Sequence, residues 1–181
     1  MSTTVYTSES HLCHLRGLIK PGAYEVTVDH FWLNMLIHYF GPRYIFEREA
    51  YSRAGVHLRR MNVTMKNFRA NGFRRVFVVE AKRLPKSKRY RWDKVFRQLA
   101  KYMREVQRDT GGLQTIYGIA AVGDRVRFYE MDCRGNRAGI AAAYPRSTTN
   151  PRTLGINTDA GVIHDYLLAI RHEISNGLNT H

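Results

Sequence analysis

Apolar positions recur at helical spacing between residues 25 and 40. There Val28, Phe31, Trp32, Met35, Leu36 and Tyr39 share one side of EVTVDHFWLNMLIHYF. The spacing predicts a helix packed on a core, and Gly41-Pro42 stops it. Residues 43–51 and 57–67 read as two strands with Ala54-Gly55 near the turn between them, and Asn71-Gly72 is a second hairpin signal. The unbroken run Val76, Phe77, Val78, Val79 predicts a central strand covered on both faces. Pro85 ends that segment, and KSKRYR at 86–91 follows as a basic loop. A helix is expected over 92–108, ended by Gly111-Gly112, and another strand pair over 113–122 and 125–132, joined around Gly123-Asp124. Residues 144–158 read as loop and 159–175 as a final helix with Asp159 as its N-cap. Residues 1–22 are polar and expected to be irregular, which leaves 23–181 as one domain. The order is helix, three strands, helix, two strands, helix. A crossover helix after three antiparallel strands implies an α/β fold with a mixed central β-sheet flanked by helices.

The helix expected over 92–108 has two unlike sides. At 100° per residue, Val95, Leu99, Met103 and Val106 cluster as a buried face with Trp92 and Phe96 nearby. Lys94, Arg97, Lys101, Arg104 and Arg108 make a separate cationic stripe. Gln98 and Tyr102, four apart, fall on the border between stripe and core and can meet each other.

Charge sharpens this picture. The 181 residues carry a net +14, yet residues 53–108 alone hold eighteen basic and three acidic residues. The rest of the chain is close to neutral, so the cationic potential is focused in under a third of it. Such a region attracts polyanions, nucleic acid first and anionic lipid second. Lys86, Lys88, Arg89 and Arg91 extend the basic surface ahead of the stripe, and the run from Lys82 to Arg91 is also rich enough in Lys and Arg to serve nuclear import. Tyr90 and Trp92 interleave with these cations and are candidates for stacking on bases, Trp92 being also a core candidate. No apolar run approaches the ~18–20 residues of a membrane span. The first twenty residues lack the apolar block of a secretory signal, and two cysteines make no disulfide framework, so an intracellular setting is expected. No Walker loop, dinucleotide glycine pattern or G-x-S-x-G element is present.

The candidate chemistry lies at the end of the apolar strand. Glu80 and Lys82 are two apart and point to one face. A carboxylate and an ammonium there are costly unless paired or used. Asn62, a polar strand position, lies eighteen residues earlier across the expected hairpin. VFVVEAKR, then WDKVFRQLAKYM, then IYGIAAVGDRVRFYEMD together resemble the PD-(D/E)xK nuclease superfamily, of restriction-endonuclease-like fold, and its small fungal members most. The resemblance covers roughly residues 25–132 and implies an α-β-β-β-α-β core and Mg²⁺-dependent cleavage of DNA phosphodiester bonds, with Mn²⁺ as a substitute. It implies that Glu80 and the Ala81 carbonyl bind metal and that Lys82 is the catalytic lysine. Gln98 and Tyr102 would be the supporting helix pair. Lys94, Arg97, Lys101, Arg104 and the loop cations would contact nucleic acid, DNA before RNA. Pairing into a homodimer to cut both strands is open to such proteins.

One position departs from the family. Its acidic residue on the second strand falls here on Asn62, which offers a neutral amide oxygen in place of a carboxylate. Three explanations compete: a degenerate nuclease that still binds nucleic acid, an Asn serving structure, or a site completed by another acid. Asp29, Glu47 and Glu49 are the acids to weigh, Asp29 on the first helix, where relatives often place one. The function expected is therefore a metal-dependent nuclease whose activity depends on how Asn62 is compensated. The alternative is a catalytically dead, nuclease-like nucleic-acid-binding module.

Overall fold

The computed structural model describes residues 4–52, 59–69, 72–86, 90–112, 114–132, 140–143 and 151–177. The elements are α1 (Ser10–Gly17), α2 (Glu25–Phe40), β1 (Tyr44–Ser52), β2 (Arg59–Arg69), β3 (Gly72–Lys82), α3 (Trp92–Asp109), β4 (Ile116–Val122), β5 (Arg125–Met131), β6 (Ile140–Ala142), β7 (Leu154–Gly155) and α4 (Ala160–Gly177). The expected turn at Ala54-Gly55, Asn71, and residues 144–150 of the expected loop lie outside the described residues. Among the described residues the sheet runs β1-β2-β3-β4-β5-β6, with β7 pairing β5. β3 and β4 are parallel and every other pair is antiparallel. The parallel step is the one spanned by α3, because a crossover must carry the chain back to the starting edge before the next strand begins. The fold is thus α/β with a mixed central sheet flanked by helices.

Alternation along β3 divides the core into two layers. Phe77, Val79 and Ala81 pack on one side with Phe31, Trp32, Met35 and Leu36 of α2 and with Ile163, Leu167 and Ile170 of α4. Val78 packs on the other side with Val95, Leu99, Tyr102, Met103 and Val106 of α3. Val76 to Val79 are all buried, as an unbroken apolar run in a central strand requires. On α3 the five cations Lys94, Arg97, Lys101, Arg104 and Arg108 are exposed, opposite the buried face. They span about 21 Å of helix at 1.5 Å per residue.

The expectation that residues 1–22 are irregular is corrected. They contain α1 and a 3₁₀ turn at Tyr6–Ser8. Tyr6 and Leu12 are fully buried against the α2 side of the sheet. The Tyr6 hydroxyl donates to the Ile156 carbonyl, and the Tyr39 hydroxyl binds His164 Nδ1 of α4 at 2.9 Å. Three buried side chains, Tyr6, Leu12 and Ile19, in a polar stretch are too few for a periodicity signal.

The β4–β5 turn is locked onto the end of β3. Gly123 N donates to Lys82 O at 2.9 Å. Gly123 has φ +55°, and a Cβ there would lie 2.4 Å from Leu84 Cβ and 2.8 Å from Leu84 Cα. The Leu84 backbone cannot yield as a side-chain tip would. Gly123→Ala is therefore expected to cost about 2–3 kcal/mol, from left-handed strain plus the clash. A denaturation midpoint unchanged from the parent would contradict it.

Candidate active site

β3 delivers Glu80 and Lys82 to its α3-facing side, in the same row as Val78. Glu80 is fully buried, and Lys82 Nζ lies 2.6 Å from Glu80 Oε1. Glu80 Oε2 is buried with no hydrogen-bond partner. Burial pushes the Glu80 carboxyl up to about 7, although the adjacent Lys82 charge pulls it down. Burial also works against the Lys82 charge, but Glu80 and Glu25 together outweigh it and hold the ammonium above its ordinary value.

β2 lies beside β3, with Val63 opposite Val79, which sets Asn62 next to the Glu80 row. Asn62 Nδ2 donates to Asp29 Oδ1 at 2.9 Å and to Glu25 Oε1 at 3.2 Å, and stands 3.5 Å from the Ala81 carbonyl oxygen. Glu25 Oε1 also accepts from Lys82 Nζ at 3.1 Å. Glu25 and Asp29 are one turn apart on the first turns of α2, so both reach the same place. Asp29 is 5% exposed rather than a solvated helix-end charge. Burial raises its carboxyl above the usual range, and the Asn62 bond draws it partly back. Arg48 of β1 adds a positive charge near Asp29, its Nη1 2.8 Å from His30 Nε2.

α3 supplies the remaining side. Gln98 hydrogen-bonds Tyr102, while Gln98 Oε1 is buried without a partner. Burial, and then the Glu80 charge, push the Tyr102 hydroxyl up, so the Gln98–Tyr102 pair stands beside the Glu80–Lys82 pair.

Asn62, Glu80, Ala81, Lys82, Gln98, Tyr102 and Asp29 are thus brought together. Of the other acids weighed, Glu47 is drawn away by Lys66, Arg75 and Thr64, and the side chain of Glu49 lies outside those described. Glu25 was missed by sequence reasoning. Its only signal was the four-residue spacing to Asp29 at a helix start, where acids commonly just complement the helix dipole. Lys86, Arg91, Lys94, Arg97, Lys101 and Arg104 are exposed, while Lys88 and Arg89 lie outside the described residues. Tyr90 and Trp92 stack on each other with centroids 6.0 Å apart, and the Arg127 guanidinium covers the Trp92 ring at 4.3 Å. The Tyr90 hydroxyl donates to Asp124. This pair is committed to internal contacts rather than offered to a base.

The donor set is oxygen-only: Glu80, Asp29, Glu25, the Ala81 carbonyl and one end of the Asn62 amide. That is the chemistry a hard divalent cation takes, and Glu80 Oε2 is left free for it. As arranged, the Asn62 Nδ2 stands between the carboxylates, and among the described residues no group of three His, Cys, Asp or Glu is gathered closely enough to hold a metal ion. An amide carries a donor and an acceptor, and turning it exchanges one for the other. No helix among the described residues is long and apolar enough to cross a membrane. Compared with protein-family models, curated proteins and solved structures, the chain matches none.

Proposed function

We propose that this chain is a nuclease of restriction-endonuclease-like fold that hydrolyses DNA phosphodiester bonds with Mg²⁺ or Mn²⁺. The observation that carries the reading is the buried Glu80, one oxygen unpartnered, paired to Lys82 at 2.6 Å where Asn62, Asp29 and Glu25 converge. The element order α2, β1, β2, β3, α3, β4, with β4 parallel to β3, supports it. Glu80, Asp29, the Ala81 carbonyl and the Asn62 amide oxygen are the groups that would hold the ion, which supplies phosphate neutralisation and an activated water when bound. Lys82, a quarter exposed at its side chain, is placed to meet charge developing on a phosphate oxygen. Gln98 and Tyr102 hold the wall of the site against Glu80. The α3 stripe gives a backbone track without acid partners among the described residues.

Plasmid cleavage with Mg²⁺ or Mn²⁺ tests the reading directly. Lys82→Ala is expected to lower cleavage at least roughly a hundredfold, with DNA affinity nearly intact. Equal loss of cleavage and affinity would reduce Lys82 to one more surface cation. The inward-pointing Asn62 amide favours one second reading, a nuclease-like module that binds nucleic acid without cutting it. That reading expects salt-sensitive binding in EDTA and no cleavage in either metal.

A further inference from the structure

Five large hydrophobic residues are exposed among those described, and three of them, Leu18, Tyr24 and Val26, fall within nine residues that lead into α2. Tyr24 is the extreme, at 81% exposed. A tyrosine ring normally hides its apolar faces, so one left open in an ordered turn needs a reason. The turn is ordered by its backbone. Ala23 N donates to Lys20 O, Gly22 N to Leu84 O, and Thr27 N to Tyr24 O. The Gly22 bond ties this turn to the chain just beyond Lys82. Tyr24 also immediately precedes Glu25, whose carboxylate touches Lys82 and Asn62.

Cations share the turn that carries Tyr24. Lys20 and Lys86 are both exposed, and neither has an acid partner among the described residues. Lys86 lies over Gly22: a Cβ there would stand 3.6 Å from Lys86 Cε. An open aromatic ring on a turn that also carries ammonium groups is chemistry suited to single-stranded nucleic acid, with the ring stacking a base and the lysines meeting nearby phosphates. A base-paired duplex hides its base faces and cannot offer one to Tyr24. Anionic lipid would use the lysines but calls for no stacking ring.

We infer that Tyr24, with Lys20 and Lys86, is a stacking subsite for one unpaired nucleobase of a DNA strand entering beside the Glu25–Lys82 contact. The proposal rests on the nuclease reading and gives it a substrate class: DNA with a single-stranded segment next to the reacting phosphate. The subsite itself needs no metal and no cleavage.

The test is equilibrium binding in EDTA at low salt. The probes are an oligo-dT strand carrying 2-aminopurine at successive positions, and a blunt duplex of equal length. The parent is expected to quench 2-aminopurine when it occupies one position of the strand. Tyr24→Ala is expected to lose that quench and roughly tenfold of single-strand affinity, and so to lower the ratio of single-strand to duplex affinity by about the same factor. Tyr24→Phe keeps the ring and should keep both. Tyr24 is exposed, so matching thermal melts will show that the variants fold. Binding of both DNAs with no effect of Tyr24→Ala would overturn the subsite and leave the nuclease reading standing. Binding of neither DNA by the parent would overturn both. A loss shared equally by strand and duplex would make Tyr24 a general contact and also overturn the proposal.

Discussion

Asn62→Asp should convert a site closed by an amide into one completed by a carboxylate. In metal-free buffer the variant is expected to be less stable by about 2–4 kcal/mol. It loses the donor that Nδ2 gives to Asp29 and Glu25 and sets a further negative charge against them. Mg²⁺ should restore that stability, because a unit charge at about 4 Å is worth about 4 kcal/mol at an effective dielectric near 20. Part of that gain goes to displacing hydration, so half-saturation is expected at a roughly ten- to hundredfold lower Mg²⁺ concentration than in the parent. Melting temperature against Mg²⁺ reads this without reference to activity, and plasmid cleavage reads its consequence. A variant whose melting temperature ignores Mg²⁺ would show that these oxygens do not gather a cation. Cleavage by both chains would mean that Glu25 and Asp29 already supply the charge that Asn62 lacks.

Glu80→Gln separates stability from function. The folded chain raises this carboxyl from about 4.5 to about 7, chiefly by burying it. The folded state therefore holds a proton that the unfolded state has released, so folding stability falls as pH rises from about 4.5 to about 7 and levels off above. Asp29, raised for the same reason, adds in the same direction. The amide is isosteric and neutral. Glu80→Gln is expected to match the parent near pH 4 and to exceed it by on the order of 2–3 kcal/mol at pH 8. It should also abolish cleavage, since the buried oxygen offered to a cation loses its charge. In the parent, the Mg²⁺ requirement should steepen below pH 7, where a proton competes for Glu80. Parallel stability curves for the two chains between pH 4 and 8 would sink the account of Glu80 as a strained, buried acid.

Much of the architecture is written in local periodicity. The helix expected at 25–40 is α2 to the residue, because six apolar positions at helical spacing and Gly41-Pro42 leave little choice. The run Val76–Val79 marks the central strand, since only a strand covered on both faces tolerates four consecutive apolar side chains. α3 reads as two-faced for the same reason, and the border position of Gln98 and Tyr102 follows from the helical angle alone. The turn at Gly123-Asp124 was legible from composition, while its need for glycine comes from Leu84, a neighbour in space.

What the residues alone determined, then, is which side of each element is apolar, where elements stop, and that Glu80 and Lys82 share a face. Side-chain direction has a fixed period in helices and strands, so these follow from spacing. The tertiary structure decided which acids meet. Glu25 was not weighed along the chain, while Asp29, Glu47 and Glu49 were. Antiparallel pairing of β1, β2 and β3 and the seating of α2 bring Glu25 and Asp29 to Asn62, while Lys66 and Arg75 draw Glu47 away. It also decided that Tyr6 and Leu12 order the first residues, and that Glu80 is buried deeply enough to shift its proton affinity. Distances between segments far apart in sequence depend on register and crossover, and burial depends on everything packed around a group. Neither is carried by any single stretch of residues.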